Sequence, residues 1–138
     1  MNRIVLLVLG LLVAVAIGGC SAKPKPEQAE PNLEQATEAY QKGMSSLGKQ
    51  DFDAAVAAFT EAIRLNPDYA EAYCNRGFAY QNKGHLDKAI ADFTEAIRLD
   101  PKDGNAYFCR GFAHRKKGEP AKALADFAKA KELGYRPK

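Results

Sequence analysis

The chain of 138 residues has no Trp, 3 Cys, 2 Met, 2 His and little excess of either charge. Cysteine this sparse excludes a disulfide scaffold. Two His with so few Cys supply no three- or four-ligand set at zinc-binding spacing, and no metal is expected. Lys and Arg number 20 against 17 Asp and Glu; the net charge of +3 is too small for a globally basic nucleic-acid binder, so no nucleic acid is expected. At 46% hydrophobic residues the chain is too apolar to remain unfolded. Its length suits one ordinary domain and excludes a multidomain enzyme.

One uninterrupted apolar run, Ile4 to Ile17, follows the short cationic start Met1-Asn2-Arg3. A membrane span needs about 20 apolar residues, and this run stops short of that at Gly18-Gly19-Cys20. The layout is that of a signal peptide. Ile17-Gly18-Gly19-Cys20 resembles the bacterial lipobox, in which small residues admit a peptidase next to a Cys carrying diacylglycerol. The resemblance implies a signal peptide over 1–19, lipidation of Cys20 and a place in the bacterial cell envelope. Ser21 favours the outer membrane, facing the periplasm. An uncleaved signal anchor is the alternative. Ser21 to Pro31 holds three Pro among alternating charges, so residues 20–32 read as the lipidated Cys and a flexible Pro-rich tether.

The rest of the chain repeats itself. Phe59-Thr60-Glu61-Ala62-Ile63-Arg64-Leu65 returns as Phe93-Thr94-Glu95-Ala96-Ile97-Arg98-Leu99, and Arg76-Gly77-Phe78-Ala79 returns as Arg110-Gly111-Phe112-Ala113, both at an offset of 34. A period of this length with helically spaced apolar residues means stacked helix pairs. Gly43, Gly77 and Gly111, with Ala55, Ala89, Ala123, Ala62, Ala96 and Ala130, keep phase as small residues where helices cross. Phe59, Phe93 and Phe127 are the bulky knobs. Pro67 and Pro101 stop the second helix of the first two copies.

This pattern resembles the tetratricopeptide repeat. The resemblance implies an all-α, α–α superhelix of three helix-turn-helix repeats, at 36–69, 70–103 and 104–137, in a domain spanning 33–138. The third copy departs from the pattern with Tyr135 in place of Pro, and with Lys131 and Lys129 where the earlier copies have Ile63/Ile97 and Glu61/Glu95. The lysines read as a polar cap on the last helix. Leu124 keeps the apolar character of Val56 and Ile90 and is expected to leave a patch open.

Chemical motifs are few. Gly43 to Gln50 approaches a phosphate-binding P-loop, but Gln50 replaces the magnesium-binding hydroxyl and no strand precedes it. His85 falls in a turn, and His114 takes the place of Tyr80, packed between helices. No Ser/His/Asp or Cys/His arrangement emerges, so neither catalysis nor a cofactor is expected. Cys74 and Cys109 lie one repeat apart. A bridge between them needs Cα atoms within about 7 Å, whereas packed helix axes lie about 8–10 Å apart. Two small buried or groove-lining thiols are the alternative.

In the family that this chain resembles, the first helix of each copy lines a concave ligand groove. The matching positions are Tyr40 and Met44, then Cys74, Asn75, Phe78, Gln81 and Asn82, then Asn105, Phe108, Phe112, Arg115 and Lys116. Amides can bond a peptide backbone, and exposed rings supply contact area at low entropic cost. The rings can equally serve as packing between helices. Some relatives grip a C-terminal carboxylate with a Lys/Asn/Arg clamp; only Asn75 matches it, with Tyr40, Met44, Asn105 and Cys109 in the other places. A chaperone-tail receptor is therefore not expected. Residues 33–103 carry 8 basic against 12 acidic groups, and 104–138 carry 9 against 3.

The expectation is a membrane-anchored, non-catalytic adaptor binding a peptide or helix of an envelope protein, with assembly of an envelope complex as its setting. A self-assembling structural module with weak self-association is the alternative, and a nucleotide-binding enzyme using residues 43–50 is the remaining one. The lipobox is tested directly by mass spectrometry of the N-terminal peptide from the membrane fraction. Residues 1–19 should be absent and Cys20 acylated, and Cys20→Ser should release the repeats or leave an unprocessed precursor. An intact Met1 or a bare Cys20 sinks this assignment.

Overall fold

Turns fall where the repeat changes from one apolar stripe to the next. The computed structural model describes residues 32–136, which form α1 (Leu33–Gly48), α2 (Phe52–Leu65), α3 (Ala70–Asn82), α4 (Leu86–Leu99), α5 (Gly104–Lys117) and α6 (Pro120–Glu132). The expected signal peptide, the lipidated Cys20 and nearly all of the tether lie outside the described residues. Each pair α1/α2, α3/α4 and α5/α6 is an antiparallel hairpin. Successive hairpins stack through α2 on α3 and α4 on α5.

Local chemistry sets the helix ends. Asn32, Asp51 and Asp103 cap α1, α2 and α5 by accepting a first-turn N–H, and Pro120 opens α6, where its missing N–H costs nothing. As expected, α2 and α4 end just before Pro67 and Pro101, at Asn66 and Asp100. Lacking that Pro, α6 stops instead at Gly134, whose φ of 81° lets Tyr135 N–H reach back to the Ala130 carbonyl at 2.9 Å. The same reverse bond closes each hairpin turn, with Gly84 and Gly118 left-handed in the second and third copies. In the first copy the left-handed residue is Gln50, φ 58°, and Gly48 is the last residue of α1. The turn's conformational strain thus falls on a residue with a Cβ rather than on a glycine.

The small residues do what their phase implied. A Cβ at Gly43, Gly77 or Gly111 would lie 2.5, 2.9 or 2.9 Å from the ring of Phe59, Phe93 or Phe127. Only a glycine admits the knob at that depth. Phe59 and Phe93 are wholly buried, whereas Phe127, on the last described helix, is partly exposed. The open end also shows at Leu124, 69% exposed, and at Lys131, which reaches solvent where Ile63 and Ile97 pack beneath the next repeat. Tyr135 supplies part of the cover, its ring 5.0 Å from that of Phe108 and its Cβ against Gly104.

A second device recurs at the repeat period. Arg76 on α3 donates two bonds of 2.8 Å to the buried Asp92 carboxylate on α4 and a third, 3.1 Å, to Thr60 Oγ1 on α2. Arg110 does the same with Asp126 on α6 and Thr94 on α4. Each guanidinium therefore joins the two helices of its own repeat to the repeat before it, with the planar fork geometry that Arg alone offers. Lys83 with Asp53 and Lys117 with Asp87 add rim ion pairs between the same repeats.

Arg76→Met should cost about 3 kcal/mol in chemical denaturation, since it strands the Asp92 carboxylate in the interior. The double variant Arg76→Met with Asp92→Leu should recover most of that loss. If the single and double variants are equally unstable, the guanidinium acts by packing rather than by pairing.

Candidate functional site

The first helices α1, α3 and α5 face a common side, and α3 and α5 approach one another directly there, with Cα atoms within 8 Å. Between them lies a hollow of about 360 Å³. Cys74, Asn75 and Phe78 form its α3 wall, and Asn105, Phe108 and Cys109 its α5 wall. Leu47 of α1 and Tyr135 complete the lining. No Lys, Arg, Asp or Glu is in this lining.

Helix spacing explains the arrangement: positions three and four apart share a face, so Asn75 and Phe78, like Asn105, Phe108 and Cys109, point the same way. The two amides are held by bonds of their own. Asn75 Nδ2 donates to Tyr40 Oη at 2.9 Å, and Tyr40 in turn stacks on Tyr69 at 4.9 Å and leans on Phe59 at 5.6 Å. Burial, which is the main influence, raises the Tyr40 phenol above its ordinary pKa, so it stays neutral. Asn105 Nδ2 donates to Cys74 Sγ, and its Oδ1 accepts from Cys109 Sγ, both at 3.7 Å. Phe108 sits between Phe127 and Tyr135, with centroids 5.4 and 5.0 Å away. Phe78 is the exposed ring, 41% accessible.

Of the residues that the sequence singled out, Asn75, Phe78, Asn105, Phe108 and Cys74 meet here. The others do not. Tyr40 supports Asn75 from within the stack, and Met44 is exposed on α1 outside the hollow. Gln81 is buried, with an Oε1 that no donor reaches, so it is not a rim amide. Asn82 spends its Nδ2 on the Phe78 carbonyl of its own helix. Phe112 lies beneath Arg115 and Lys116, 4.7 and 5.2 Å from its centroid, and Arg115 also covers Phe127 at 5.6 Å. These three belong to a separate basic cluster on the exposed end, where the cations shield rings.

Two lining residues, Leu47 and Tyr135, were not foreseen as groove residues, whereas Cys109 was foreseen there as the alternative to a bridge. Leu47 occupies the repeat position of Gln81 and Arg115, so the period could have found it. Tyr135 reaches the hollow through the Gly134 turn, which no helical period announces.

The alternatives that sequence left open meet the geometry as follows. Gly43 to Gly48 is the last part of α1, with Gly43 beneath Phe59, so these residues form no phosphate-cradling loop. Buried His114 pairs its Nδ1 with Glu119 Oε2 at 2.6 Å, a contact that ties α5 to the start of α6. Among the described residues no three His, Cys, Asp or Glu gather as a metal site, and no helix is long and apolar enough to cross a membrane.

Family models described as TPR repeat and tetratricopeptide repeat match residues 48–84, 70–103 and 93–125. The chain belongs to the tetratricopeptide repeat family. Its fold is similar to the TPR domain of Arabidopsis OM64 (TM-score 0.73, 34% identity), covering 74% of this chain and 84% of that one. It is similar also to the TPR2B domain of yeast Sti1 in its pHsp70 complex (TM-score 0.71, 34% identity), covering 72% and 80%. In sequence it is 41% identical over 51 residues to Hsc70-interacting protein 1 of Drosophila melanogaster. That match takes in 37% of this chain and only 14% of the relative's length.

Gln81→Leu tests the division between lining and interior. Removing an acceptor without a donor, and placing there the residue that Leu47 already supplies one repeat earlier, should raise stability by about 1 kcal/mol in a thermal melt. A fall in stability would mean that the amide is satisfied in solution.

Proposed function

We propose that this protein is a non-catalytic adaptor whose concave hollow binds an uncharged segment of a partner protein, as an extended peptide or one face of a helix. The observation that carries the proposal is the lining itself: two oriented amides and exposed aromatic area, with no charged side chain. Amides matched to a peptide backbone and rings matched to alternate side chains are the ingredients of peptide capture. Similarity to the Sti1 domain, described in complex with pHsp70, and to Hsc70-interacting protein 1 supports partner-segment binding by this kind of domain. The lining does not favour a carboxylate tail. Tyr40, Met44, Asn105 and Cys109 stand where the clamp of the tail-binding relatives would place its other groups, and none is cationic.

In the same proposal the adaptor is held by a lipidated Cys20 at the bacterial cell envelope, at the outer membrane facing the periplasm, where it recruits an envelope protein into a complex. The tether would let the repeats reach a partner near the membrane surface. Weak self-association is the second reading. It is favoured by exposed Leu124 and by an open hollow of about 430 Å³ between Phe108, Phe127, Ala130 and Lys131.

Crosslinking pull-down from native envelopes supplies the partner, and titration of variants then locates its site. Phe78→Ala should weaken binding by about 2 kcal/mol, roughly thirtyfold, as the loss of an aromatic anchor. Asn75→Ala and Asn105→Ala should each cost about 1 kcal/mol, because water replaces part of an amide bond. Phe112→Ala, outside the hollow, should leave affinity unchanged. Phe93→Ala should lower stability first, since its ring fills the core. If the amide variants bind normally while charge reversal at Arg115 and Lys116 abolishes binding, the basic end is the site and the hollow is not.

A further inference from the structure

The two cysteines described in the structure are both free thiols, and both open on the same hollow. They sit on neighbouring first helices whose backbones come within 8 Å, with Cys109 packed against the cluster that contains Cys74. One amide joins them: Asn105 donates to the sulfur of Cys74 and accepts from that of Cys109. Their accessibilities differ. Cys74 is only 6% exposed, whereas Cys109 is half-buried on the wall that a small molecule entering the hollow would meet.

We infer that Cys74 and Cys109 form a redox-active dithiol, which a small-molecule disulfide such as oxidised glutathione converts into a bridge between α3 and α5, with Cys109 attacking first and Cys74 resolving. Electrostatics assigns the same order. The neighbouring Cys74 thiol is the leading influence that holds Cys109 below the ordinary thiol range, while the same proximity and burial push Cys74 far above it. The thiolate, which is the nucleophile, is therefore more readily formed on Cys109 than on Cys74.

The steps balance without a further reactant. The Cys109 thiolate attacks one sulfur of glutathione disulfide, forming a mixed disulfide and expelling one glutathione thiolate, which takes up a proton from water. Cys74 then attacks the Cys109 sulfur, the S–S bond to glutathione breaks, and the Cys74 proton passes to the second glutathione, which leaves as a thiol. Two protein thiols are oxidised to one disulfide, and one glutathione disulfide is reduced to two thiols. A disulfide requires Cα atoms about 4.4–6.8 Å apart, a separation on the scale at which α3 and α5 already approach one another. The inference stands whether or not the hollow binds a peptide.

The test uses the full chain treated with oxidised glutathione and digested with trypsin under non-reducing conditions. Wild type should yield the peptides 65–76 and 103–110 joined through Cys74 and Cys109, and dithiothreitol should separate them. Cys74→Ser should stop at a stable glutathione adduct on Cys109, and Cys109→Ser should leave Cys74 unmodified over the same time. In untreated wild type, iodoacetamide should label Cys109 at least roughly tenfold faster than Cys74, a readout that needs no variant to fold. Absence of the joined peptides in wild type overturns the dithiol. Adduct formation on Cys74 in Cys109→Ser, or equal labelling of both cysteines, overturns the order of attack.

Discussion

A glycine beneath a phenylalanine sets the spacing on which the whole stack depends. At Gly43/Phe59, Gly77/Phe93 and Gly111/Phe127 the ring lies where any Cβ would collide with it, so the two helices of each repeat can approach only because one lacks a side chain. At the remaining crossing points stand alanines that are wholly or almost wholly buried, and the core becomes a lattice of alanine around three rings. Such a core buries little area per residue. Directional bonds add to the hold between repeats, and this is the role of Arg76 and Arg110, each bonded to a buried carboxylate in its own repeat and to a threonine in the one before.

The residues that make those bonds change in the first and third repeats. The first repeat has Lys42 and Ala58 at the places of Arg76 and Asp92, and the third has Ala128 at the place of Thr60 and Thr94. Asp53 and Asp87, which receive Lys83 and Lys117, become Ala121. With Lys131 in place of Ile63 and Ile97, the outer face of the third repeat has lost both the acceptors and the apolar contact by which repeats two and three are seated. That face is built differently from an internal junction. Tyr135 covers it in part, and Arg115 shields the Phe127 ring that no helix overlies among the described residues.

Nearly all of the fold could be read from the 34-residue period, because in a repeat array a single crossing geometry is used again and each copy checks the others. What escaped was whatever occurs once. Gln50 takes the left-handed place of Gly84 and Gly118 although it carries a Cβ, which no repeat pattern announces. Tyr135 turns back through Gly134, a bend set by φ rather than by pattern. In the groove the period pointed to the first helices, and Asn75, Phe78, Asn105 and Phe108 line one hollow there. The period could not separate positions at the edge of that lining, so buried Gln81 and end-facing Phe112 were taken with them. The Arg76–Asp92 pair was legible in principle, since Arg110 and Asp126 repeat it at the same offset, but a charge on a helix reads as solvated until its partner is seen.

The hollow is neutral in a chain whose ends are not. Acidic groups outnumber basic ones over residues 33–103 and the reverse holds over 104–138, yet neither excess enters the lining between α3 and α5. Long-range charge governs how fast and in what orientation a partner arrives, and is screened by salt, whereas contact with desolvated rings and oriented amides governs how long it stays. The amides are already oriented before any ligand arrives. Asn75 is held through Tyr40 by the same aromatic packing that joins the first two repeats, and Asn105 by the two sulfurs that flank it. A ligand therefore spends little of its binding energy on ordering the site. Stability of the stack and readiness of the hollow rest on shared contacts, so a change at Tyr40 or Tyr69 reaches the groove without touching its surface.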